Sequence, residues 1–154
     1  MKGKPIALLL LRAAWALGLL VMSGSGLRKA RAGAASTAPM ISSLGAPFDR
    51  FPEVWAGAAM AAELVVPFFI LFGFSTRLAA AFGAIHFGVA TYAHLGAWGQ
   101  PFIAVVFNEN DPSGVGSLVW MAACLLILWQ GPGRFSLDQC IEDGPDWNRK
   151  QKGE

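Results

Sequence analysis

The chain has 154 residues, of which 55% are hydrophobic and 14% charged, far from the soluble domain in which about a quarter are charged. A formal net charge of +2 supplies no basic footprint for nucleic acid, and a single domain is the natural organisation at this length. The cysteines, Cys124 and Cys140, form no CxxC, so thiol–disulfide catalysis lacks its paired-thiol signature.

Residues 5–22, PIALLLLRAAWALGLLVM, fit two readings. A signal peptide has a basic start, a short apolar run and a small-x-small cleavage site, which Ala30-Arg31-Ala32 or Ala32-Gly33-Ala34 would provide. Arg12 interrupts what should be an uncharged run, however, and the run is long, so a retained first transmembrane helix is the favoured reading. Residues 23–53 read as a loop of small residues and proline carrying Arg28, Lys29, Arg31 and Arg50.

The most informative stretch is 54–95. It divides at Ser75-Thr76 into two apolar halves of about twenty residues, each long enough to cross a hydrocarbon core of ~30 Å. A break that short forces a hairpin. Glu63 stands about twelve residues before the turn and His86 about ten after it, a difference in depth of roughly 3 Å on antiparallel helices. The two are therefore expected to pair near mid-membrane. Pro67, one turn after Glu63, predicts a kink. The second half is rich in small residues, and Ala84-xxx-Gly88 matches the spacing that lets helix backbones approach closely in lipid.

In residues 96–116 the apolar part, GAWGQPFIAVVF, is too short to span. It suits an interfacial or re-entrant segment. A cation site on Asn108, Glu109, Asn110 and Asp111 lacks the full spacing of a calcium loop, and a solvated acidic turn is expected instead. Residues 115–130 form the last apolar helix, with Trp120 and Trp129 as interface anchors. Gly131-Pro132-Gly133 stops it, and residues 139–154 are a polar tail. The expected fold is thus all-α, an integral membrane four-helix bundle with spans at about 5–22, 54–74, 77–95 and 115–130. Basic residues favour N-in/C-in, with seven inside (Lys2, Lys4, Arg77, Arg134, Arg149, Lys150 and Lys152) against four outside.

Ionisable groups inside a membrane cost ~2.5–3.5 kcal/mol each on insertion scales, so they face the bundle and pair. Depth matching joins Arg12, Glu63 and His86 into one expected polar cluster. It serves either as structural glue or, as the family resemblance of residues 62–85 and 131–138 implies, as a site where Arg12 or His86 donates to a quinone carbonyl, Glu63 passes protons, and Phe68, Phe69, Phe72 or Phe87 flanks the ring. Transport of a small solute or proton is disfavoured, because no inverted repeat or second broken helix is visible. His94 is expected to be a polar end residue. A metal held by His86 and His94 is not expected, since eight residues on one helix separate them by ~80° and ~12 Å. Arg77 is expected to anchor to lipid phosphate or to contact Asp138.

The stretch AELVVPFFILFGFSTRLAAAFGAI, residues 62–85, and GPGRFSLD, residues 131–138, resemble the signature of the DoxX family of small bacterial membrane proteins. Leu11-Arg12 and His94 also match positions that members commonly fill with Arg and His. One departure follows the first span, where members often carry a His-Gly pair before a Lys and this chain has Ser25-Gly26-Leu27-Arg28-Lys29. The resemblance, over residues 1–138, implies a four-helix protein of the bacterial inner membrane. It also implies redox work there, as a membrane subunit of a quinone-linked complex with a second protein subunit as partner. The alternative is a non-catalytic anchor or assembly subunit of a larger membrane complex.

Overall fold

A computed structural model describes residues 4–108 and 113–143. The acidic residues Glu109 and Asp111 and the tail beyond Asp143 lie outside the described residues. The regular structure of the described chain is helical, apart from one antiparallel bridge between Phe107 and Val115. Helix α1 (Lys4–Leu17) continues into a wider-wound turn, Gly18–Ser23, which ends at Gly24, where φ is +57°. α2 (Ser25–Ala32) and α3 (Ala34–Ser42) follow, then α4 (Pro52–Phe72) and α5 (Thr76–Tyr92) with a wide turn at Ala93–Ala97. α6 (Phe102–Val106), α7 (Ser117–Gln130) and α8 (Leu137–Asp143) complete the chain.

The stretch 23–53 departs from expectation. It is not a loop for most of its length: α2 and α3 occupy most of it and both pack along α4. Alanine and leucine are good helix formers, and Gly33, at φ +83°, confines the break to one residue. Pro67 is fully buried, and α4 runs unbroken through it. The proline has no N–H to give the carbonyl of Glu63 four residues back.

Among the described residues, three helical stretches are long and apolar enough to cross a membrane: Ile6–Ala32, Pro52–Phe72 and Thr76–Ala97, of 27, 21 and 22 residues. The expected fourth span, α7, is apolar but has 14 residues, ~21 Å against a core of ~30 Å. The outward side chains of α4 and α5 are apolar, among them Val65, Phe68, Phe72, Phe82 and Ile85. A surface of that kind belongs against lipid.

α5 is central, as its small residues predict. It packs on both α4 and α7, and the α5–α7 pair is the most extensive in the molecule. The α5 glycines face α7 side chains: a Cβ on Gly83 would stand 2.8 Å from Cys124 Sγ, and one on Gly88 3.5 Å from Met121 Sδ. Trp120 is a further correction. It is buried against Trp15 and Phe87 instead of anchoring at an interface, while Trp129 is exposed.

Candidate functional site

Glu63 lies near the middle of α4 and is 5% exposed. Its Oε1 accepts from His86 Nε2 at 3.1 Å, so the two groups matched by depth meet. The same oxygen accepts from Lys29 Nζ at 2.5 Å. Lys29 is the residue that sequence reading missed, because its basic surroundings read as a membrane-flanking loop. The local cause is the register of α2. Gly26 and Lys29 stand one turn apart on one face, and that face meets α4. A Cβ on Gly26 would lie 2.8 Å from the Cβ of Glu63. The missing side chain thus lets α2 come close enough for the lysine stem to reach the carboxylate. The usable signal was this Gly-xx-Lys spacing inside a basic run.

Arg12 does not join them, which corrects the expected three-residue cluster. Its Nε donates to Ile70 O at 2.8 Å and its Nη2 to Leu71 O at 3.0 Å. Nη1 donates to Phe135 O at 3.0 Å and also to Pro132 O. The reason is the end of α4, whose last carbonyls lack helical partners and carry the negative end of the dipole. A guanidinium with five donors satisfies them and the turn after α7 together. Beside this hub Asp138 accepts from Ser75 N at 2.6 Å and from Thr76 N and Oγ1, each at 2.8 Å. Asp138 therefore caps α5 through the neighbours of Arg77, and Arg77 itself packs beside Gly131. Burial pushes the Asp138 carboxyl up, but the Thr76 and Ser75 hydrogen bonds and nearby Arg12 outweigh it and hold it below the usual range.

The aromatic residues divide in the same way. Phe87 stands at the site, its ring 4.9 Å from that of His86 and in edge contact with Trp15. Phe68, Phe69 and Phe72 line a separate apolar groove of about 220 Å³ with Phe74 and Leu137. That placement corrects their assignment as flanks of the Glu63 site: they follow Glu63 by five to nine residues, ~8–14 Å along the axis. A hollow of about 110 Å³ adjoins Glu63, and Lys29, His86, Phe87, His94, Asn108, Ser117 and Trp120 are among its walls. His94, expected as an end residue, belongs to this wall and is hydrogen-bonded to Gln100 at 2.8 Å.

Apolar helices with lipid-facing surfaces and a carboxylate–imidazole–ammonium group between them define a polytopic membrane protein with an intramembrane polar site. The DoxX family model matches residues 7–96, and the chain belongs to the DoxX family. It is also 31% identical, over 97 residues, to an uncharacterized protein of Haemophilus influenzae. That match covers 62% of this chain and 60% of the relative's length. No solved structure matches the chain.

Proposed function

We propose that the protein is the membrane subunit of a quinone-linked redox complex in the bacterial inner membrane, with the hollow at Glu63 as its quinone head-group site. The observation that carries this reading is the composition of that hollow. Two donors, Lys29 and His86, and a buried carboxylate stand beside the aromatic walls Phe87 and Trp120. Binding sites for small ring compounds have this make-up, mostly apolar with a few convergent polar groups. A closed cavity of about 150 Å³ admits a benzene ring. A partly open hollow of about 110 Å³ suits the carbonyl edge of a head group, with the remainder towards lipid. A quinone supplies an acceptor for two electrons and two protons. Lys29 and His86 would hold its oxygen, and Glu63 would exchange protons with His86.

The accompanying topology has four spans with both termini inside. α7 counts as the fourth because it lies along α5 over most of its length. With Lys29 turned to Glu63, the outer side keeps Arg28, Arg31 and Arg50 against seven basic residues inside, which supports N-in.

A second reading, a non-catalytic anchor or assembly subunit, is favoured by one observation. Among the described residues, no buried side-chain nitrogen or oxygen lacks a hydrogen-bond partner, as expected of polar groups that only fix helix register. Native mass spectrometry of the complex, gently extracted from its own membranes, separates the two. The redox reading expects a bound quinone mass that Glu63→Gln and His86→Phe lose, together with electron transfer to quinone. An assembly of unchanged subunits with no such mass in either form would leave the anchor reading.

A further inference from the structure

The hollow beside Glu63 has polar groups towards one end of the bundle and an aromatic layer towards the other. From Glu63 and His86, in the middle of α4 and α5, its walls continue to His94, Asn108 and Ser117. There α5 ends and α7 begins. His94 lies ~12 Å beyond His86 along the helix axis. Thr91, buried one turn before His94, stands 3.0 Å from Ser117 Oγ and extends the run of polar groups. Towards the opposite end, Trp15 packs edge-on against Phe87 and Trp120. Beyond that layer Val66, Ile70, Cys124 and Ile127 are buried, up to the hub at Arg12. A volume of about 110 Å³ holds three to four waters at ~30 Å³ each, and such waters need two to four polar partners apiece. The walls provide them.

We propose that this hollow is a one-sided aqueous half-channel. It brings water and protons to Glu63 and His86 from the face where α5 ends and α7 begins, and the aromatic layer bars access from the face of Arg12 and Asp138. Its use in proton exchange rests on the function proposed above; its existence as a water path does not. A mid-membrane carboxylate that exchanges protons needs such a route, because the hydrocarbon on every other side carries none.

Cysteine accessibility in sealed vesicles of known orientation tests this. Ser117→Cys and Ala90→Cys, two wall positions on different helices, are made separately with Cys140→Ser. Each is treated with a membrane-impermeant quaternary-ammonium methanethiosulfonate and followed by intact mass. Native Cys124, buried about two turns further along α7, is the internal comparison. Both new thiols are expected to react roughly tenfold or more faster than Cys124, whose burial keeps it inert, and only from the α5–α7 end. Reaction from the Arg12 face would overturn the proposal. So would silence of both positions from either face while Gly99→Cys, exposed at the same end, is labelled. Labelling reads water access alone. Reactive wall cysteines in a protein whose redox activity survives Glu63→Gln would therefore remove the quinone reading and leave the half-channel standing.

Discussion

A cation inside an apolar helix settles on whichever oxygens its stem can reach, and Arg12 and Lys29 divide the available oxygens between them. Arg12 takes four backbone carbonyls, two from the end of α4 and two from the turn after α7. Arg12→Lys keeps the charge but not the planar fork. If two of those bonds are lost at ~1.5–3 kcal/mol each, the variant should be less stable by ~3–6 kcal/mol, measured by unfolding in detergent. Lys29 holds Glu63 instead. Lys29→Met should destabilise by less than the ~3–5 kcal/mol typical of a broken fully buried pair, since Lys29 is 29% exposed. Adding Glu63→Gln to Lys29→Met should restore part of the loss in a double-mutant cycle. Additive effects would mean that the two side chains do not interact. Depth arithmetic was enough to pair Glu63 with His86 from sequence, because both sit on helices joined by one short turn. It misplaced Arg12 because depth does not state rotation.

Helix ends and helix contacts set the next level. α2 touches α4 through Gly26, where a Cβ would also meet the Glu63 carbonyl carbon at 3.2 Å. Gly26→Val should push α2 away and cost about 1–3 kcal/mol, the range for overpacked sites. It should also break the Lys29–Glu63 contact, a loss that crosslinking between α2 and α4 would report. Gly73 combines φ +68° with Arg12 and Ser136 packed against it, so any side chain there meets both strain and collision. The start of α5 depends on Asp138. Its folded pKa lies below the unfolded value, so its contribution is complete above pH ~3.9 and drains away as the pH falls through the folded value. Asp138→Ala should therefore lower stability at neutral pH by about 0.5–2 kcal/mol, the range for loss of a helix cap. It should also flatten the acid limb of a stability–pH profile. Sequence placed Asp138 on the same side as Arg77 correctly, but the choice of Thr76 and Ser75 as partners follows from the left-handed backbone of Ser75. That conformation turns two amide N–H groups towards one carboxylate.

Among the described residues, two polar sites, one around Glu63 in the middle of α4 and one around Arg12, are separated by an aromatic and aliphatic layer. The proposed four-span topology puts both termini on one side and the 96–116 segment on the other. Reporter fusions at the C-terminus and at Gly99 should therefore report opposite compartments. If α7 did not cross, the C-terminus would share the compartment of Gly99.

By itself the sequence determined the class of the protein. Long apolar runs, few charges and a short hairpin break are properties of composition and periodicity, and they set an all-helical membrane fold around residues 54–95. The family signature was legible for the same reason, since it sits on consecutive residues. Which cation meets which anion was decided only by tertiary structure. Lys29 and Glu63 are brought together by the packing of α2 on α4, across a stretch that local composition presents as loop. Arg12 is drawn to carbonyls at helix ends, and a linear sequence does not show which helix ends lie side by side.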